Sequence, residues 1–166
     1  MFEARNLEAT RGNATLFTGL GFTLRPGALL RVTGANGSGK TSLLRALCGL
    51  LLPSAGEVRW NGENIRALRE EYWKRLAYVG HVNALKDDLT AVENLAVACA
   101  LSGLDATPAR SRDALERFGL AGRERIPVRM LSQGQRRRAA LARLALSETL
   151  PLWVLGLSSP AQLWAA

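Results

Sequence analysis

A chain of 166 residues is sized for about one domain, and its 48% hydrophobic and 22% charged content excludes a disordered protein. Apolar runs such as Leu95–Leu101 fall well short of the roughly 18 residues that span a bilayer, Met1–Arg5 lacks the order of a secretory signal, and the distant pair Cys48 and Cys99 excludes a disulfide framework or zinc cluster. The formal charge of +8 is compatible with a nucleic-acid partner, an anionic membrane surface or an arginine-rich composition.

In chain order, Phe2–Leu7 reads as a short strand, Arg11-Gly12-Asn13 as a turn, and Phe22–Leu24 as a strand stopped by Arg25-Pro26-Gly27. Ala28–Thr33 is nearly all apolar, the pattern of a strand covered on both faces. A glycine-rich loop follows, and Leu43, Leu44, Leu47 and Leu50 then mark a helix over Thr41–Leu50. Leu52–Gly56 breaks that helix, and Glu57–Gly62 reads as a strand entering a hairpin turn. Residues 63–76 are charged and partly helical, and Leu76–Val79 is a short strand. Helices are expected at Val92–Ala100, at Pro108–Phe118 with proline in the first turn, and at Leu131–Leu146. Pro151–Leu155 reads as a second buried strand, giving an α/β order with a helical insertion.

The loop Gly34-Ala35-Asn36-Gly37-Ser38-Gly39-Lys40-Thr41 matches G-x-x-x-x-G-K-[ST] without a mismatch, between an apolar strand and an amphipathic helix. Its glycines let backbone N–H groups turn inward as an anion cradle, and the following helix aims its positive end at the same place. Lys40 supplies a point charge for β- and γ-phosphates, and the Thr41 hydroxyl is a ligand for Mg²⁺. The pattern points to a nucleoside triphosphate rather than to an incidental glycine-rich turn.

About ninety residues further on, Leu131-Ser132-Gln133-Gly134-Gln135 opens a helix and makes a second site of exposed amides. It resembles the LSGGQ signature of ABC-type ATPases, with Gln133 in place of the first glycine. The resemblance implies a P-loop NTPase fold, an ABC-type nucleotide-binding domain with a helical subdomain. It also implies ATP and Mg²⁺ as cofactors, and a head-to-tail dimer with a second copy, in which each signature caps the ATP held by the other chain. Tyr78-Val79-Gly80-His81 is similar to the family's Q-loop strand, so His81 falls where a glutamine contacts Mg²⁺ and the attacking water, and a surface histidine is the alternative. Where the family stacks an aromatic ring on adenine, this chain has Arg11.

Three stretches, Gly34–Arg45, Tyr78–Leu95 and Leu131–Arg143, together with Gly80-His81 and Lys86-Asp87-Asp88-Leu89-Thr90, resemble the ATP-binding subunit of the cytochrome c biogenesis (haem exporter) ABC transporters. That resemblance implies a peripheral subunit on the cytoplasmic face of the inner membrane, an integral-membrane partner subunit, and haem or a related cargo handled by the complex. The chain itself has no C-x-x-C-H with which to read haem. A single domain over 1–166 is expected, with a sheet core over 1–89 and 147–155, a helical subdomain over 90–146, and a non-family tail over 156–166.

The departure lies at the end of the last strand. The family follows it with Asp-Glu-Pro, the Asp holding Mg²⁺ through water and the Glu activating the attacking water, whereas Leu155 here is followed by Gly156-Leu157-Ser158. A frameshift or premature end after Leu155 is the expected cause, leaving the cassette incomplete at its C-terminal end, and the expected result is weak MgATP binding, poor hydrolysis and a tendency to aggregate. Two other readings are a soluble ABC-type ATPase acting on nucleic acid, argued from the charge and Arg136-Arg137-Arg138, and a non-catalytic remnant. The arginine run reads more simply as a solvated helix face, and no nucleic acid is expected.

Overall fold

Phe2, Ala4, Leu7 and Ala9 form the buried face of strand β1 (Phe2–Arg11). Their alternation slips by one residue at Asn6, whose φ is +49°, and the irregularity keeps Leu7 and Ala9 on the side already chosen by Phe2 and Ala4. In the computed structural model, which describes residues 1–80 and 82–156, the chain divides into two units, Met1–Trp73 and Lys74–Ala166.

In the first unit β1 is hydrogen-bonded on one side to β2 (Ala14–Leu24) and on the other to β3 (Ala55–Trp60), both antiparallel. β4 (Glu63–Asn64) completes the sheet order β2-β1-β3-β4. Asn61 and Gly62 turn β3 into β4 with φ of +50° and +87°, the left-handed pair that a two-residue hairpin needs. Rings of Phe2, Phe22, Trp60 and Tyr72 form a chain with centroids 6.2–6.4 Å apart.

Helix α1 (Lys40–Leu47) buries Leu43, Ala46 and Leu47 and ends at Cys48, before Gly49 at φ +72°. It ends three residues earlier than the leucine spacing predicts, because the chain turns left-handed before Leu50. The short helices α2 (Ile65–Leu68) and α3 (Glu70–Trp73) are separated by Arg69 at φ +49°. The α3 side chains grip the end of α1: the Tyr72 hydroxyl donates to the Leu47 carbonyl at 2.6 Å, and the Trp73 indole N–H to that of Cys48 at 3.0 Å.

Two expectations for this unit change. β2 is eleven residues long, not the three of Phe22–Leu24, because Gly19 and Gly21 interrupt the alternation that would have revealed it. Residues 28–33, expected to form a strand buried on both faces, form no strand, and Leu29 is 92% exposed. Apolar composition alone does not make a strand. The ladder partners must be there, and among the described residues this segment has none.

In the second unit β5 (Leu76–Val79) pairs in parallel with β6 (Leu152–Leu155), Leu76 opposite Leu152 and Val79 opposite Leu155. Helices α4 (Ala91–Leu101), α5 (Pro108–Arg117) and α6 (Gln133–Leu146) bury a common core that includes Leu95, Cys99, Leu115, Leu120 and Leu146. Ala77 and Val79 of β5 pack on Leu141 and Leu144 of α6. Each helix start has a side-chain cap: Thr90 with Glu93, Thr107 ahead of Pro108, and Ser132 with Gln135. β6, expected to be buried, is covered in part: Val154 is buried, while Trp153 is 44% exposed and its indole donates to the Ser147 carbonyl.

Candidate functional site

The loop Gly34–Gly39 leads into α1 through Gly39, which takes the N-cap position at φ +87° and therefore offers the helix no side-chain cap. The first amides of α1 are left without a capping oxygen, and its first turn has no acidic residue, so an anion there meets N–H donors and the positive helix end together. Ser38 N–H donates to the Ala35 carbonyl at 3.2 Å, closing a tight turn within the loop. The Lys40 ammonium donates to the Gly34 and Ala35 carbonyls, both at 2.7 Å, which holds its charge over the loop. Thr41 is exposed on the same turn.

Gly39 is also fixed by close packing. A Cβ there would lie 2.9 Å from the Leu16 Cβ and 3.2 Å from the Phe17 ring, both on β2. The loop thus rests on β2. Leu16 and Phe17 went unrecognised in the sequence, where the only signal was two adjacent apolar residues after the Arg11-Gly12-Asn13 turn. Arg11 ends β1 opposite Ala14, exposed, and Phe17 pairs with Ala9 two residues before it.

At Leu131–Gln135 the chain passes from a 3-10 turn (Val128–Met130) through buried Leu131 to Ser132, the N-cap of α6. Ser132 Oγ accepts from Gln135 N–H at 3.3 Å, and Gln135 Oε1 accepts from Ser132 N–H at 2.9 Å. This capping box engages the Gln135 side chain and leaves the Ser132 hydroxyl proton free to donate outward. Gln133 and Gly134 are exposed, and beyond α6's own backbone and the adjacent residues no described atom lies within 4 Å of where a Gly134 Cβ would stand.

His81 lies outside the described residues. Its neighbour Gly80 accepts a 2.8 Å hydrogen bond at its carbonyl from Arg137. That bond belongs to a set that corrects, for Arg136 and Arg137, the reading of the arginine run as a solvated helix face. Arg136 pairs with Asp87 at 2.9 Å and donates from Nε to the Leu131 carbonyl at 3.2 Å. Arg137 donates to the carbonyls of Gly80 and Gly156 and to Asn83 Oδ1, and burial pushes its guanidinium below the usual arginine value. A helical face that looks free in the sequence is spoken for once the segment after β5 folds against it.

Among the described residues no three His, Cys, Asp or Glu side chains converge as a metal centre. Magnesium does not require one. It keeps several waters and takes phosphate oxygens plus one or two protein oxygens, for which an exposed hydroxyl beside a phosphate cradle is suitable.

A glycine-rich loop ahead of an uncapped helix start, a capped helix start at Ser132 and two units of mixed sheet and helix define a class, and comparison with known proteins agrees. The sequence matches the ABC transporter family over residues 17–155. It is 56% identical over 155 residues to the cytochrome c biogenesis ATP-binding export protein CcmA of Nitrosomonas europaea, covering 93% of this chain and 72% of that protein. The protein of the same name from Dechloromonas aromatica is 52% identical over 155 residues, with 93% and 76% covered. The fold resembles an ABC transporter ATP-binding protein from Pyrococcus furiosus, with a TM-score of 0.78 at 25% identity over 87% of this chain and 70% of that one. A dimeric bacterial ABC transporter cassette matches with a TM-score of 0.80 at 24% identity, over 93% and 73%. The fold is the α/β P-loop NTPase cassette of ABC ATPases. The chain belongs to the ABC transporter family of ATP-hydrolysing subunits, in its cytochrome c biogenesis ATP-binding export branch.

Proposed function

We propose that this chain is the ATP-binding subunit of an ABC transporter complex that couples ATP hydrolysis to haem export in the maturation of c-type cytochromes. The observation that carries the proposal is the Gly34–Thr41 loop ahead of the uncapped start of α1, in a chain 56% identical to a cytochrome c biogenesis export ATPase. The loop amides and the α1 N-terminus take the β- and γ-phosphates of ATP, Lys40 moves from the Gly34 and Ala35 carbonyls to the phosphate oxygens, and Arg11 stacks on the adenine. Thr41 supplies the protein oxygen for Mg²⁺, which neutralises phosphate charge when bound.

The signature Leu131–Gln135 acts on a second copy of the chain. Its exposed Gln133 and Gly134 amides and the Ser132 hydroxyl cap the γ-phosphate held by the other loop, in a head-to-tail dimer with two ATP molecules between. In the sequence His81 falls where the family has its Q-loop glutamine. The chain functions as one cassette domain, its helical part over 90–146, docked peripherally on an integral-membrane subunit at the cytoplasmic face of the inner membrane. No helix of the described residues is long and apolar enough to cross a membrane. Hydrolysis is slow, since Gly156 and Leu157 stand where the family has its Mg²⁺-holding and water-activating carboxylates.

The test is a titration with a fluorescent ATP analogue in the presence of Mg²⁺. Binding by the unsubstituted chain, weakened about ten- to a hundredfold in Lys40→Ala with an unchanged melting midpoint, supports the reading. Equal binding by both proteins rejects it.

A further inference from the structure

The acidic pair Asp87-Asp88 and the arginines on either side of the signature are the features that the function above does not use. Arg129, just ahead of the signature, pairs with Asp88 at 2.6 Å, and Arg136, just after it, pairs with Asp87 at 2.9 Å. Both flanks of Leu131–Gln135 are therefore held by neighbouring carboxylates in one loop. Arg136 also reaches the signature itself, because its Nε donates to the carbonyl of Leu131. One continuous path runs from the Asp87 carboxylate through the Arg136 guanidinium to the first residue of the signature.

The loop carrying these carboxylates is built without them. Buried Asn94 accepts from Lys86 N–H at 2.7 Å and donates to the carbonyls of Lys86 and Thr90, both at 3.0 Å. Val128 N–H donates to the Leu89 carbonyl at 2.9 Å, and Arg129 N–H to that of Asp87 at 3.0 Å. Asn94 and these backbone bonds fix the loop, whereas the Asp88 side chain is 88% exposed and that of Asp87 61%. Exposed ion pairs add little to folding stability and open readily. Arg137 is different: partly buried, with three acceptors and an Nε that has no partner among the described residues, it anchors α6 to the ends of β5 and β6.

We propose that Asp87 and Asp88 are positioning residues that, through Arg136 and Arg129, hold the signature turn in the orientation that captures the second copy's nucleotide. This rests on the reading of Leu131–Gln135 as a cap on the partner's ATP. Arg137 is the fixed anchor of α6, and the Asp87–Arg136 and Asp88–Arg129 pairs are a latch on its first turn. Because the latch is exposed and electrostatic, it acts on the encounter between copies and leaves both the fold and the phosphate loop untouched.

The experiment compares the unsubstituted chain with Asp87→Asn/Asp88→Asn and with the charge swap Asp88→Arg/Arg129→Asp, which leaves the Arg136 bond to the Leu131 carbonyl in place. MgATP-dependent self-association is followed by analytical ultracentrifugation, single-copy affinity with a fluorescent ATP analogue, and folding by the melting midpoint. The double asparagine variant is expected to associate about tenfold more weakly at saturating MgATP, with analogue affinity and midpoint unchanged, and the swap to recover most of the loss. Unchanged association in the asparagine variant, a swap that recovers nothing, or a loss that only tracks a lowered midpoint overturns the latch. An unsubstituted chain that binds the analogue but never associates with MgATP overturns the parent reading of the signature, and the latch with it.

Discussion

Gly39 and Lys40 are adjacent and serve the same loop, yet they answer to different physics. Lys40 contributes a charge at the end of a flexible stem, bonded among the described residues to two carbonyls of its own loop, so its loss is expected to be felt in binding. Gly39 is constrained twice, by a φ of +87° and by the Leu16 side chain 2.9 Å from where its Cβ would be. The left-handed conformation alone costs a residue with a Cβ about 1–2 kcal/mol, and Leu16 would have to move as well. Gly39→Ala is therefore expected to lower both the denaturant midpoint and the affinity for an ATP analogue, where Lys40→Ala lowers affinity alone. A Gly39→Ala protein with unaltered stability would show that β2 does not support the loop. The residue types of Gly34–Thr41 were legible in the sequence because phosphate chemistry dictates them. Leu16 and Phe17 were not, since any apolar pair there packs as well and only the register of β2 brings these two under the loop.

At the scale of elements, the caps on α4 and α6 do similar work with different chemistry. Ser132 and Gln135 are neutral, whereas Glu93 caps α4 as a carboxylate, accepting from the Thr90 N–H and hydroxyl, both at 2.8 Å. Those bonds hold the Glu93 carboxyl below its ordinary value of 4.5. A carboxyl whose folded value is depressed adds stability that is fully present above the unfolded value and is lost as pH falls through the folded one. Amide protection in the first turn of α4 is accordingly expected to be flat above about pH 4.5 and to fall below it, while the first turn of α6 shows no matching loss. Hydrogen exchange across pH 3–6 checks this, and Glu93→Gln, which keeps an acceptor, is expected to flatten the profile. Persistence of the pH step in Glu93→Gln would assign it to another group. The starts of α5 and α6 were readable from Pro108 and Ser132, because such signals are local, whereas the Thr90 and Thr107 caps came from the structure. The strand expected at 28–33 failed for the opposite reason, since a strand is defined by neighbours its own sequence does not contain.

For the whole molecule, the decisive absence is of two carboxylates after β6. Gly156 N–H donates to the Val79 carbonyl at 2.7 Å and its own carbonyl accepts from Arg137, so the backbone at the end of β6 is well tethered while glycine has no side chain to supply an oxygen. Restoring Gly156→Asp together with Leu157→Glu is expected to raise phosphate release by about 10²–10⁴-fold if both groups reach the nucleotide, with a far smaller change in ATP-analogue affinity. A colorimetric phosphate assay at saturating MgATP measures it, and no gain would mean that hydrolysis is limited elsewhere. The same comparison separates what the sequence displayed from what it concealed. The missing Asp-Glu is visible letter by letter, whereas the Arg137 grip on Gly80 and Gly156 appears only when β5, β6 and α6 come together.

The bond from the Trp73 indole to the Cys48 carbonyl has an optical consequence. Trp73 is half exposed and attached to the C-terminal end of the same eight-residue helix whose first residue is Lys40. A rod of that length spans about 12 Å, so a small tilt at one end becomes a change of hydration at the other. The emission maximum of Trp73 is therefore expected to shift when an ATP analogue binds, and an unchanged spectrum after subtraction of the Trp73→Phe background would show that α1 does not carry the signal.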